Sequence, residues 1–205
     1  LGYILFCIVS ILVSIAIIPV SITRTEAPTP QKPRPLLIRR LFSISPLGFI
    51  GCLGYGLALG AFWGLAPVFA GRVGLDVDGI ALFMALCILG GGLMQWPIGW
   101  LSDKYDRRTV LTIALFIAGG MAIVIATVGI MRPEYLLYIA FVYGAASFPL
   151  YALTVSHAND YVEADKRVVV SGTLLLTYGT GAIIGPVLAG PIMVELGVAG
   201  LFYYI

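Results

Sequence analysis

The sequence predicts an all-α polytopic membrane protein, and three observations carry that expectation. Of its 205 residues 60% are hydrophobic and 11% charged, a balance that departs from a water-soluble domain in the direction of one bathed in lipid. The apolar residues gather into runs long enough for tilted helices to cross ~30 Å of hydrocarbon. The basic residues alternate in number from one connection to the next, as they do where every second loop faces the cytoplasm.

Six full transmembrane helices are expected at about 1–22, 46–70, 79–101, 110–131, 136–157 and 168–194, with the start of a seventh near Val198. The connection 23–45 holds Arg24, Lys32, Arg34, Arg39 and Arg40, whereas 71–78 holds only Arg72. Lys104, Arg107 and Arg108 follow in the next loop, then Arg132 alone, then Lys166 and Arg167. Ten of the twelve basic residues therefore fall in alternate connections, which assigns those connections, 23–45 and 102–109 among them, to the cytoplasm.

Pro28, Pro30, Pro33 and Pro35 interrupt the first connection and favour extended backbone over helix. Residues 23–45 thus read as a cytoplasmic linker between bundles, with anionic-lipid attraction a secondary effect of its basic charge. On this division, 1–22 is the last transmembrane helix of a missing N-terminal bundle and 46–205 is a C-terminal six-helix bundle whose last helix is truncated. The chain is expected to be a piece of a longer protein, its first run a true span rather than a signal peptide.

Cys7, Cys52 and Cys87 lie in apolar runs without CxxC spacing, so they read as small packing residues; no metal set is expected. Gly48, Cys52, Gly56, Gly60 and Gly64 recur every four residues and place small side chains on one helical face. That face suits either tight static packing or a surface along which the helix rocks. In the third span, Gly90, Gly91, Gly92 and Pro97 suggest a flexible, kinked segment. Gln95 there needs a partner, either a neighbouring helix or a solute.

Tyr143, Ser147, Tyr151 and Thr154 follow offsets of four, eight and eleven in the fifth span, which puts them on one face about 80° wide if the helix is unbroken. A polar stripe in a membrane helix faces a cavity or another helix, and these four, with Thr177 and Gln95, are the substrate-facing candidates. His157 extends the stripe towards Asp160, either as an interfacial imidazole or as part of a proton relay. Thr173, Thr177 and Thr180 share a face of the sixth span, ahead of Gly181, Gly185, Pro186 and Gly190, a helix-packing motif of small residues with a proline bend. All ten acidic residues fall in loops or at span ends. With no buried carboxylate, no phosphate-binding loop and no nucleophile and base pair, neither an enzyme nor a nucleic-acid binder is expected, and no cofactor is implied.

Gly99, Asp103, Lys104, Arg107 and Arg108 in the third basic connection resemble the loop motif of major facilitator superfamily transporters. Gly181 to Gly190 resembles the glycine-proline helix motif that many antiporters of that superfamily carry in the fifth helix; here it lies in what would be the eleventh, its pseudo-symmetry mate. The texture, Gln95-Trp96-Pro97-Ile98-Gly99 and Phe148-Pro149-Leu150-Tyr151 included, is similar to bacterial permeases of that superfamily. The resemblance implies a secondary active transporter in a bacterial inner membrane that moves a small organic solute by alternating access, with protons as a candidate coupling ion. Its partners would be the lipid bilayer, a small-molecule substrate and the missing N-terminal half. The loop would act as a conformational latch, with Asp103 against the start of a helix in the opposite half. Asp106 departs from the family's glycine; glycine permits a tight turn with positive φ, which aspartate tolerates better than most residues, and Asp106 is expected to compete with Asp103 for Arg107 or Arg108. A non-transporting membrane scaffold or sensor with the same bundle is the rival reading.

Overall fold

A computed structural model describes residues 2–22, 41–43 and 45–205, and the described residues are helical with no strand. Two compact units divide the chain near Pro35. The first contains one helix, α1 (Gly2–Ile22), with Pro19 inside it. Ser14 and Ser21 donate to the carbonyls of Ser10 and Ile17 at 2.8 and 2.9 Å, so both hydroxyls are satisfied within the helix, as lipid requires. The four prolines of the expected linker lie outside the described residues.

The second unit holds α2 (Pro46–Val73), α3 (Val77–Lys104), α4 (Arg107–Val124, extended by a π turn at Ile125–Gly129), α5 (Pro133–Ser147), α6 (Leu150–Asp160), α7 (Arg167–Glu195) and α8 (Gly200–Tyr204). Five spans in this unit are long and apolar enough to cross a membrane: α2, α3, α4 with its π turn, α5 with α6, and α7 with the turn before it. The fold is thus the all-α polytopic bundle that composition predicts. Its beginning differs: residues 41–43 form a helical turn, and buried Leu41 packs with Cys52, Ala158, Val170 and Leu174. The end of the expected linker is therefore part of the bundle.

Local signals set the ends. Ser45 caps α2 by accepting from the Gly48 N–H at 3.2 Å, and Pro46 takes the first position, where no N–H is needed. Gly74 closes the same helix at φ 106°, a left-handed cap that glycine adopts without strain. Asp76 caps α3 through the Gly79 N–H at 2.9 Å.

Backbone contact, not side-chain bulk, joins the helices. A Cβ added at Gly56 or Gly60 would fall on the carbonyl oxygens of Tyr178 and Ala182 in α7, and one at Gly181 or Gly185 on those of Leu53 and Leu57 in α2. The two small-residue motifs singled out in the sequence are therefore the two sides of a single interface. Gly190 takes no part in it: nothing lies within 4 Å of its added Cβ, so the packing motif ends one turn earlier than expected.

The triple glycine of α3 is likewise a packing face. Gly90 abuts the Phe141 carbonyl, Gly91 the Phe148 side chain, and Gly144 of α5 the Cys87 carbonyl, while Gly92 points to open space. Helix α3 runs unbroken through Pro97, and α7 through Pro186 and Pro191. Beyond these contacts, interlocked rings fill the core at the end away from Pro46: Phe69 lies 4.8 Å from Phe202, and Tyr143 5.6 Å from Phe202 and 5.7 Å from Phe62. Phe116, Ile183 and Trp96 stand out from the bundle, as lipid-facing side chains do.

Gly185→Val is expected to destabilise the protein by at least ~1–3 kcal/mol through overpacking against the α2 backbone. Gly190→Ala should leave stability unchanged or raise it slightly. Thermal unfolding of the purified full-length protein in detergent measures both, and equal stability of the two variants would contradict the backbone contact.

Candidate functional site

Three places in the bundle carry the residues singled out from the sequence. The first is the turn between α3 and α4. Helix α3 ends at Lys104, whose ammonium sits 3.9 Å from the centre of the Trp100 ring, a cation–π contact that uses the indole at the membrane edge. Ser102 donates to the Gly99 carbonyl at 2.8 Å. The next charge, Asp106, is the N-cap of α4: its Oδ1 accepts from the N–H groups of Arg108 at 2.8 Å and Thr109 at 3.3 Å, with φ at −54°.

That geometry corrects the expectation at Asp106. The turn needs no positive φ, so a Cβ is accommodated, and the carboxylate is spent on free backbone donors rather than on the arginines. Arg107 instead bridges two carboxylates, Asp103 at 2.8 Å and Asp160 at 3.6 Å, its side chain 19% exposed against 72% for Asp103. Arg108 donates to the Tyr161 hydroxyl at 2.7 Å. Both arginines thus tie the turn to the end of α6. Exposed pairs of this kind contribute about 0–1 kcal/mol each, so the cap dominates the local order.

His157 lies buried beside this cluster, its ring 5.1 Å from Tyr161 in an edge-on arrangement. Among the described residues no group of His, Cys, Asp or Glu could hold a metal. Asn159 donates to Ser171 at 3.1 Å and so fastens α6 to α7 at the same end of the bundle.

The second place is a groove of about 970 Å³ between α2, α4 and the α5–α6 pair. It runs along α2 from Pro46 to Leu59, about 20 Å at the helical rise, and its walls are mostly aliphatic, with Leu111 and Leu115 opposite Ile50. Tyr143, Ser147 and Thr154 line it, with Arg108 and Ile205 among the remaining wall residues. Thr154 donates to its own helix at the Leu150 carbonyl, 2.7 Å away, while the buried Ser147 Oγ makes no hydrogen bond of standard geometry among the described residues.

Tyr151 does not share that wall, and here the single-face stripe fails. Pro149 has no N–H to return to the preceding turn, and the helix is interrupted at Phe148 and Pro149, between α5 and α6. Tyr143, Ser147 and Thr154 keep one face across the interruption, and Tyr151 alone of the four lies off it. At the interruption the Phe148 carbonyl accepts from the Tyr55 hydroxyl at 3.2 Å.

The third place is where Tyr151 goes instead. Its ring meets Tyr178 of α7 at 5.1 Å and Tyr55 of α2 at 6.1 Å, and Tyr55 lies 6.0 Å from Tyr178. Each of three helices supplies one half-buried ring. Sequence reasoning missed Tyr55 and Tyr178. The available signal was adjacency: Tyr178 follows Thr177, and Tyr55 lies one turn after Cys52. Thr177 itself is buried and donates to the Thr173 carbonyl at 2.9 Å, so its proton is committed. Gln95 is exposed, and its side chain makes no hydrogen bond among the described residues, so the expected interhelical bond is absent. The reason is position: α5 ends level with Gly91, one turn before Gln95.

An all-α bundle of apolar spans, held by glycine-mediated contact and bearing a capped basic turn between two of them, defines an integral membrane protein. The family model of the Major Facilitator Superfamily matches residues 1–186, and the chain belongs to that superfamily. An uncharacterized MFS-type transporter of Yersinia enterocolitica is 33% identical over 159 residues, 78% of this chain and 40% of its own length. The uncharacterized MFS-type transporter YcaD of Escherichia fergusonii is 31% identical over 180 residues, 87% of this chain and 46% of its own. YcaD of Salmonella arizonae is 36% identical over 140 residues, 68% of this chain and 35% of its own. The chain therefore spans less than half the length of these relatives. No solved structure matches.

Asp106→Ala should cost about 0.5–2 kcal/mol, the usual loss for an N-cap, whereas Asp106→Gly, which restores the family residue, should cost only a few tenths. Hydrogen exchange at the amides of Arg108 and Thr109 in the full-length protein reads the difference locally. Equal protection in both variants would rule out capping.

Proposed function

We propose that the full-length protein is a secondary active transporter of the bacterial inner membrane that moves a small organic solute by alternating access. The superfamily match across residues 1–186, with relatives named as transporters, is the observation that carries this reading. In this proposal α1 closes a preceding bundle, the second unit forms the C-terminal half, and the solute lies near the bilayer midplane between halves. The basic connections, the α3–α4 turn included, face the cytoplasm.

The groove is not assigned to the solute. Its aliphatic walls, its length of about four helical turns and the position of Ile205 within it, in line with α8, suit an apolar helix better than a polar cargo. Tyr143, Ser147 and Thr154 then serve helix packing, and Tyr151 alone of the stripe remains a solute contact.

For the turn, the geometry supports a latch. Asp106 is used by the backbone, and the Asp103 side chain, while paired with Arg107 at 2.8 Å, remains 72% exposed. A carboxylate so placed suits docking against free N–H groups at the start of a helix in the other half, an interaction of about 0.3–1 kcal/mol. Asp103→Asn in the full-length protein should therefore shift reporter-cysteine labelling towards the inward-facing state, roughly two- to fivefold. Unchanged labelling on both sides of the membrane would exclude the latch. Labelling that never alternates between the sides, whatever the variant, would favour the scaffold or sensor instead.

A further inference from the structure

We propose that Tyr55, Tyr151 and Tyr178 form the recognition surface for an uncharged, planar aromatic solute. This deepens the transport reading and rests on it. Tyr55 lies nine residues past Pro46, Tyr151 nine before Asp160, and Tyr178 eleven past Arg167. At 1.5 Å per residue each ring is about 14–17 Å from the same end of the bundle, close to the middle of a ~30 Å hydrocarbon core. Three rings from three helices thus meet at one depth.

The cluster is preorganised. Gly56 packs on the Tyr178 carbonyl, so the backbone beneath one ring is clamped to α2, the helix that carries another. The Tyr55 hydroxyl is held by the Phe148 carbonyl, which fixes that ring against the break between α5 and α6. The ring separations of 5.1 to 6.1 Å are those of offset and tilted aromatic pairs, a geometry that a further planar ring extends. Tyr151 and Tyr178 are half-buried, and their hydroxyls make no hydrogen bond among the described residues. Two free phenols on an aromatic platform offer a donor and an acceptor to a polar substituent of the solute.

Charge selects among aromatic solutes. Every described acidic and basic residue lies in a connection or near a helix end, so among the described residues no counter-charge stands at the depth of the rings. Bringing an ion there without a partner costs far more than stacking returns. An amide or hydroxyl substituent, by contrast, is satisfied by the phenols. A carboxylate or a quaternary nitrogen is not.

Equilibrium binding to the purified full-length protein tests the surface with four probes of one shape: nicotinamide, its N-methyl cation, nicotinate, and cyclohexanecarboxamide, which keeps the amide and lacks the aromatic ring. Saturable nicotinamide binding is expected, with the saturated ring weaker by about tenfold and the two ions weaker still. Tyr151→Ala and Tyr178→Ala should each weaken nicotinamide by about tenfold. Tyr151→Phe and Tyr178→Phe retain the rings and the fold and should weaken it by about fivefold with melting temperature unchanged. Absence of saturable binding, equal binding of the saturated ring, preference for either ion, or parental affinity in the alanine variants overturns the proposal. Reporter-cysteine labelling of the same preparation keeps the two readings apart. Alternation without nicotinamide binding removes the surface and leaves transport standing, and binding without alternation removes transport.

Discussion

Between membrane helices there is no hydrophobic drive, because lipid tails are as apolar as leucine, and association must come from close van der Waals approach. The contact of α2 with α7 meets that constraint in its most direct form, glycine against carbonyl in both directions. Everything else in the second unit is arranged around it. The α2 and α7 rings face each other across that backbone contact, and α6 is secured to the same pair by Asn159 and Ser171. Where α3 meets α5 the same device recurs with Gly90 and Gly144. Two zipped pairs thus give the bundle its frame, and α4 packs against the frame through small residues, Ala114, Ala118 and Ala122.

The break at Phe148 and Pro149 is the second organising feature. It separates a buried aromatic core around Phe62, Tyr143 and Phe202 from the tyrosine cluster nearer the capped turn. Both sides of it still meet α2, Tyr143 through Phe62 and Tyr151 through Tyr55. At the break the Phe148 carbonyl accepts from Tyr55, so α2 is both the packing partner and the source of that donor.

Much of this was legible in the residues. Spans follow from composition, the aqueous turns from clustered charge, and the α2–α7 interface from glycines four apart, since a small-residue period of four leaves few alternatives to backbone contact. The family was legible in Gly99, Asp103, Lys104, Arg107 and Arg108 before any comparison. What escaped the sequence was non-local. Pro19, Pro67, Pro97, Pro186 and Pro191 all sit inside continuous helices, so a proline alone does not announce a break, and the Tyr55 hydroxyl that satisfies the Phe148 carbonyl comes from 93 positions away. Gln95 was open to a neighbouring helix or a solute, and beyond the end of α5 its side chain has no hydrogen-bond partner among the described residues. At Asp106, the glycine analogy misled where ordinary capping chemistry would not have.

The capped turn between α3 and α4 has a consequence in conformational entropy. A glycine at position 106 would leave the residues before α4 with more freedom, and that freedom would be lost only when the turn met a surface. Fixing a backbone residue costs about 1–2 kcal/mol, comparable to the whole gain from one charge at a helix start. Asp106 shifts that loss into folding, because its carboxylate orders the Arg108 and Thr109 amides within the chain itself. In the proposed latch the turn would arrive with its shape already set, so that a weak contact at Asp103 would suffice to hold it and a small change in charge to let it go.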